Sequence, residues 1–133
     1  MRILLFILVL SGCPKATPKQ YFDIGKQKEA EGDNISAIKL FTKAIEKQPK
    51  YIDAYIERAK TWVKEDSMQN AIKDYDSLLL FTKNIQDKQG EFYLLRGNAN
   101  YLILKDKEAC ADWEKSRQMN NSHSWDCIRK YCK

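Results

Sequence analysis

The stretch Asn34–Pro49, NISAIKLFTKAIEKQP, decides the fold of this 133-residue chain. Its apolar residues recur at steps of three and four, which places them on one face of a helix, and its proline stops that helix. Ala37 and Phe41 have counterparts one unit later at Ala71 and Tyr75. The step between the two pairs matches the period of about 34 residues that is typical of stacked helix–turn–helix units. We therefore predict an all-α array of repeated helical hairpins.

A first helix precedes this stretch and carries Gly25. Gly32 and Asp33 break that helix, and Asn34 is the predicted N-cap of the helix that follows. Small side chains at Gly25 and Ala37 would let the two helices of this first unit approach each other closely.

The same residue types return at equivalent places in two later units. The matching residues are Gly25, Ala37, Phe41, Ala44 and Pro49 in the first unit, Tyr55, Ala59, Trp62, Ala71 and Tyr75 in the second, and Tyr93, Gly97, Ala109 and Trp113 in the third. The chain thereby resembles a tetratricopeptide-repeat (TPR) protein. The resemblance implies a right-handed superhelix of about three repeats within 18–121, at about 18–51, 52–84 and 90–121, and a capping helix within 122–133.

The later units depart from the pattern in several places. Leu78 replaces a small residue, and an aromatic residue of the third unit falls one place late, at Tyr101. The step from Ala71 to Ala109 is longer by four positions than the step from Ala37 to Ala71, so four residues are inserted between these units. We predict that the insertion lies in a loop around 84–89.

At two positions of the repeat, the residues are either both charged or both uncharged. Arg58 and Asp74 of the second unit correspond to Arg96 and Asp112 of the third. The first unit carries aliphatic residues at both places, Ile24 and Leu40. Because an arginine can bind a carboxylate through two parallel hydrogen bonds, we interpret these residues as structural ion pairs between the helices of a repeat rather than as catalytic groups.

The N-terminal segment Met1–Cys13 carries a targeting pattern. Arg2 precedes the apolar run Ile3–Leu10, which is too short to span a bilayer and is typical of a secretory signal. The sequence LSGC at 10–13 resembles a bacterial lipobox, whose cysteine is acylated. The resemblance implies a signal peptide at 1–12, lipidation of Cys13 and a tether at 13–20. An ordinary secretory signal or a chance apolar N-terminus is the alternative.

Composition argues against two classes of function. The formal net charge is +5, but basic and acidic residues are interleaved, so no nucleic-acid partner is predicted. The chain has one histidine, no glycine-rich phosphate loop and no Ser-His-Asp order. We therefore predict no enzyme activity, no catalytic residue and no cofactor.

A short helix at about 124–131 ends the chain. Trp125, Ile128 and Cys132 fall on one face of this helix. A stacked array needs its last apolar face covered, so we predict that this helix is the cap and that this face is buried.

Three cysteines follow Cys13, and in a secreted protein they are open to oxidation. Cys110 lies on the helix that the cap must cover, so we predict a Cys110–Cys132 disulfide. The segments ACADW and YCK also resemble the endings of some lipoproteins with these repeats, in which such a pair recurs. Cys127 is then free or paired with another chain, and the rival pairing Cys110–Cys127 stays open. His123 and the three cysteines are possible zinc ligands, but no C-x-x-C pair occurs and no metal is predicted.

The first helices of TPR units line a concave face that holds peptides or helices. The resemblance implies nine groove residues, which are Phe22, Lys26, Glu29, Ile56, Lys60, Val63, Leu94, Asn98 and Tyr101. Apolar groups beside lysines suit a partly acidic, partly apolar segment, although the lysines have the alternative of being simply solvated. Of the residues that clamp a carboxylate in some family members only Asn98 is present, so binding of a chaperone's acidic C-terminus is not predicted.

These features predict a lipid-anchored, non-catalytic adaptor that binds a protein or peptide partner. Its predicted location is the bacterial cell envelope, on the periplasmic or the surface face. The alternative is a structural lipoprotein of the envelope that associates with its own copies, for example through Cys127, as a homo-oligomer.

Overall fold

The computed structural model describes residues 15–133, which form seven α-helices and no strand. The helices are α1 Pro18–Ala30, α2 Asn34–Lys47, α3 Ile52–Lys64, α4 Met68–Phe81, α5 Gln86–Leu102, α6 Asp106–Gln118 and α7 His123–Tyr131. Cys13 and the predicted signal peptide lie outside the described residues. Across residues 15–133, every helix is too short or too polar to traverse a lipid bilayer.

Each helix packs against the next one along the chain, and α1 also packs against α3. Helices α1 with α2, α3 with α4, and α5 with α6 therefore form three stacked hairpins, and α7 packs on α6. The predicted all-α array of about three repeats with a C-terminal helix is confirmed.

The repeats place a small residue against an aromatic ring. A Cβ atom on Gly25 would lie 2.7 Å from the Phe41 ring, and one on Gly97 would lie 2.7 Å from the Trp113 indole. Phe41 and Trp113 are themselves almost fully buried. At the same places the second repeat has Ala59, which is slightly larger than glycine, and the aromatic residue Tyr75. These contacts set how closely the two helices of a repeat approach.

The four inserted residues lie inside α5 and not in the predicted loop. Helix α5 has 17 residues, whereas α1 and α3 have 13 each. Residues 86–89 contain no glycine or proline, so the helix extends through them. The buried Gln89 then donates a hydrogen bond from Nε2 to the Leu79 carbonyl oxygen at 2.9 Å.

Helix α2 is capped by Asp33, so the predicted N-cap was wrong by one residue. The Asp33 backbone is non-helical, and its carboxylate accepts a hydrogen bond from the Ser36 amide at 3.1 Å. Asn34 is the first helical residue, and its Nδ2 donates to Glu65 Oε1 at 2.7 Å. The asparagine therefore joins the start of α2 to the residue that follows α3.

The turns inside the three repeats share a left-handed residue. Gly32, Asp66 and Leu104 have φ angles of 80°, 55° and 61°. Only the first of these residues is a glycine, for which this conformation is free of a steric penalty. Leu104 is 87% exposed, so its side chain gains little from burial in return for the strained backbone.

Replacement of Leu104 by glycine is expected to raise the free energy of unfolding by about 1 kcal/mol. A left-handed leucine costs roughly 1–2 kcal/mol, and the larger conformational entropy that glycine loses on folding offsets part of the gain. Urea denaturation would measure the change. The matched control is Gly32→Ala, which should destabilise, since no atom lies within 4 Å of a Cβ there and only the φ angle matters. A less stable Leu104→Gly variant would contradict the strain argument.

Candidate functional site

A cleft of about 390 Å³ lies between α3 and α5, with α4 as its floor. Its lining residues are Lys60, Val63, Lys64, Met68, Tyr75, Leu95, Asn98, Ala99 and Leu102. The residues of α3 and of α5 in this set fall at steps of three and four, so each helix presents one stripe to the cleft. Lys60, Val63 and Asn98 are thus the predicted groove residues that line it.

The cleft is mostly apolar. Met68, Tyr75 and Ala99 are buried and form its floor and inner wall. Burial raises the pKa of Tyr75 to about 12, so the phenol is neutral at physiological pH. Val63 and Leu102 are 36% and 60% exposed. An apolar group that entered the cleft would therefore remove several hydrocarbon surfaces from water at once.

Lysines and glutamates form a network beside the cleft that joins α1 to α3. Lys26 Nζ lies 2.9 Å from Glu29 Oε2 and 2.5 Å from Glu57 Oε2. Lys60 lies 3.1 Å from Glu57, and Lys64 lies 2.7 Å from Glu29. The glutamate side chains are only 8% and 17% exposed, whereas the lysine side chains are 44% to 54% exposed. The surface that solvent meets is therefore positive.

The network holds its carboxylates in the charged form. Burial by itself raises the pKa of Glu29, but hydrogen bonds from Lys64 and Lys26 bring the pKa below its ordinary value. The same balance of burial against lysines lowers the pKa of Glu57. Three positive and two negative groups leave one net positive charge. The lysines that were predicted to face a partner, Lys26 and Lys60, are therefore already paired with glutamates of this chain.

Four of the nine predicted groove residues pack elsewhere. The Phe22 ring lies 5.7 Å from Phe41 and 5.2 Å from Tyr51, between centroids. Ile56 packs against the main core, and Leu94 is half-buried outside the cleft lining. The fourth residue, Tyr101, is covered by the C-terminal helix.

Helix α7 covers the last repeat through Tyr131. The centroid of the Tyr131 ring lies 4.6 Å from that of Tyr101 and 5.8 Å from that of Trp113. A disulfide joins Cys110 on α6 to Cys132, which directly follows α7, with the two Cα atoms 5.8 Å apart. Since Cys110 and Cys132 are bonded to each other, they are not available as thiolates for the alternative zinc site.

The buried face predicted for the cap was wrong at Trp125, which is 57% exposed. The Arg117 guanidinium carbon lies 4.9 Å from the centre of its ring, a cation–π contact at the surface. Tyr131, which is 39% exposed, makes the aromatic contacts with the last repeat instead. Cys127 is half-buried, and burial raises the pKa of its thiol, so the thiol is mostly protonated and weakly nucleophilic at neutral pH.

Both predicted ion pairs are present, and each arginine also binds a residue of the preceding repeat. Arg58 binds Asp74 through Nε at 2.9 Å and Nη2 at 2.6 Å, and its Nη1 donates to Thr42 of the preceding repeat at 2.9 Å. Arg96 binds Asp112 at 2.8 and 2.6 Å, and its Nη1 donates to Asp76 of the preceding repeat at 2.5 Å.

Thr42 and Asp76 occupy equivalent places of successive repeats, because the step between them equals the step from Ala37 to Ala71. The arginines therefore tie each repeat to the one before it. The first repeat packs on no earlier repeat in the described residues, which fits its aliphatic Ile24 at the arginine place. The signal that could have revealed this link was the hydrogen-bonding residue that precedes each arginine by 16 or 20 positions.

Several solved structures resemble this fold at low sequence identity. One is the first TPR of Spaghetti (RPAP3) bound to the HSP90 peptide SRMEEVD, with a TM-score of 0.72 and 20% identity over 86% of this chain and 90% of that chain. Another is the N-terminal domain of stress-induced protein-1 (STI-1) from C. elegans, with a TM-score of 0.80 and 16% identity over 87% and 94% of the two chains.

MamA from Desulfovibrio magneticus RS-1 is similar as well, with a TM-score of 0.69 and 16% identity over 79% of this chain. The match spans only 57% of that MamA chain. No family model matches the sequence, and no curated protein matches it. The likeness to the solved structures shows the fold alone. The described part of the chain has the tetratricopeptide-repeat fold.

Proposed function

We propose that this protein is a non-catalytic interaction module whose α3–α5 cleft binds an apolar side chain of a partner protein. The observation that carries the proposal is the cleft itself, which combines a neutral apolar floor with exposed Val63 and Leu102. Pockets of this kind, lined by hydrocarbon with a few polar groups, are the usual places where proteins bind ligands. Asn98 supplies such a polar group at the rim.

The charges beside the cleft favour a partner segment with an acidic residue next to its apolar anchor. The exposed ends of Lys60 and Lys64 cover the buried glutamates, so an approaching segment meets positive charge first. The similar structure of Spaghetti (RPAP3) holds the acidic peptide SRMEEVD. In this chain the lysines are partly neutralised by Glu29 and Glu57, so apolar contact rather than a carboxylate clamp is proposed as the main source of affinity.

The proposal includes lipid anchoring at Cys13 in a bacterial cell envelope. Its support is the sequence pattern: a basic residue, an apolar run and LSGC. Acyl chains on Cys13 would hold the module at a membrane, because two or more chains anchor a protein stably whereas one binds marginally.

A random peptide library is expected to yield binders that share an apolar residue beside Asp or Glu. The Leu102→Asp variant should bind these peptides at least about tenfold more weakly, because a central apolar contact contributes about 2 kcal/mol or more and about 1.4 kcal/mol is already tenfold. Fluorescence anisotropy of a selected peptide would measure this.

The matched control is Leu80→Asp, a leucine 71% exposed on α4 that does not line the cleft. Unchanged binding by Leu102→Asp, or binders without an apolar residue, would refute the cleft as the site. A thiol-sensitive dimer on non-reducing electrophoresis would favour the self-associating alternative.

A further inference from the structure

A stripe of lysines runs along the exposed side of α2. Lys39, Lys43 and Lys47 follow one another at steps of four, and all three are exposed. Ile35 stands four residues before the first of them and is 52% exposed. None of the three lysines belongs to an ion pair formed among residues 15–133. The helix has a single acidic residue, Glu46.

The stripe is confined to the first repeat. The equivalent residues are Lys73, Ser77 and Phe81 in the second repeat and Ala111, Lys115 and Met119 in the third. Residues 15–51 hold eight lysines against five acidic residues, whereas residues 52–133 hold fourteen basic against thirteen acidic residues. The excess positive charge of the described chain therefore lies mostly in the first repeat.

The first repeat, which carries the stripe, follows shortly after the proposed anchor at Cys13. The relation between stripe and membrane rests on the proposed function. Four residues separate Cys13 from Pro18, where α1 begins. Five chain steps reach at most about 18 Å when fully extended. An acylated Cys13 would therefore keep the start of α1 within about that distance of the lipid headgroups.

We propose that the α2 stripe docks on an anionic membrane surface. Lysine ammonium groups are attracted to negatively charged headgroups, and an exposed isoleucine can enter the boundary between headgroups and acyl chains. The anchor makes this weak contact effectively intramolecular, so a few lysines suffice. No residue of α2 lines the α3–α5 cleft, so the docked protein keeps its cleft open to a partner.

The test is a lysine footprint of the full-length protein, purified after processing and reconstituted on vesicles. Acetylation rates would be compared on phosphatidylcholine vesicles and on vesicles that also contain phosphatidylglycerol. We expect Lys39, Lys43 and Lys47 to react on the order of threefold more slowly on the anionic vesicles, and high salt to remove the difference. Lys83, Lys107 and Lys133 should react equally on both.

Charge reversal supplies the matched control. K39E/K43E/K47E should abolish the protection of the nearby Lys50, whereas K83E/K107E/K133E, with the same change in net charge, should preserve it. Protection that is equal on neutral vesicles, or absent, would overturn the proposal.

The mass of the N-terminal peptide shows, independently of the footprint, whether Cys13 is acylated. If Cys13 carries no acyl chain, the anchoring proposal fails, and the footprint is repeated with the unacylated protein at millimolar lipid. Protection of the stripe on anionic vesicles alone would then still support the docking surface, and its absence would overturn it.

Discussion

Replacement of Arg58 by isoleucine is expected to lower the free energy of unfolding by about 3–5 kcal/mol at neutral pH, the usual effect of removing one partner from a buried ion pair. The Asp74 side chain is only 4% exposed, and its described hydrogen bonds all come from Arg58. The variant would leave this carboxylate buried without a counter-charge.

The loss should depend on pH. Burial raises the pKa of the Asp74 carboxyl above its ordinary value of 3.8 even beside Arg58, whose hydrogen bonds and charge oppose the effect. Without the arginine the pKa of the folded state rises further, so folding favours the protonated acid. Stability of the variant therefore increases as pH falls from above the raised pKa toward the unfolded value. The deficit relative to wild type should be largest near neutrality and smaller in acid.

The chain supplies a matched control in its first repeat, which has Ile24 and Leu40 at the two places. The double variant Arg58→Ile/Asp74→Leu should recover most of the lost stability, because no charge is left unpaired. Urea denaturation at several pH values would measure both variants. A single variant that unfolds like wild type, or a double variant as unstable as the single one, would show that the pair does not act in this way.

Removal of the Cys110–Cys132 disulfide is expected to lower the free energy of unfolding by about 3 kcal/mol, since the bridge closes a loop over a sequence separation of 22 residues. The melting temperature should fall by roughly 10 °C for a domain of this size. Without the bridge, the contacts that still hold α7 include those of Tyr131 with Tyr101 and Trp113 and that of Trp125 with Arg117.

We therefore expect the near-ultraviolet circular dichroism of the aromatic cluster to weaken in Cys110→Ala/Cys132→Ala, because α7 separates from α6. The control is Cys127→Ala, which removes a half-buried thiol and should leave both the spectrum and the melting temperature nearly unchanged. An unchanged aromatic signal in the double variant would mean that packing alone holds α7 in place.

Local patterns were sufficient to predict the helices and their stacking. The repeat period and the apolar steps of three and four act through neighbouring turns of one helix, so they can be recognised without tertiary information. The insertion before Gly90 was misplaced because residues 86–89 suit a loop or a helix, and the buried contact of Gln89 with Leu79 selects the helix. Asp33 and Asn34 are both good caps, and only the backbone angles distinguish them.

The candidate site was less predictable, because its residues come from different repeats. The family positions identified Lys60, Val63 and Asn98 as residues that line the cleft. Tyr101 instead packs against Tyr131 of the C-terminal helix. The contribution of α4 to the floor of the cleft was missed, since a buried floor residue has the same pattern as any core residue.

The sequence by itself determined that the chain is an all-α repeat array with close helix pairs, because period, small residues and aromatic residues are properties of the chain in order. Two cysteine pairings were open, and the tertiary structure joins Cys110 to Cys132. The tertiary structure also decided the charge beside the α3–α5 cleft. Lys26 and Glu57 are far apart in sequence and meet only when α1 packs on α3, and that contact places the lysines in a network that keeps one net positive charge.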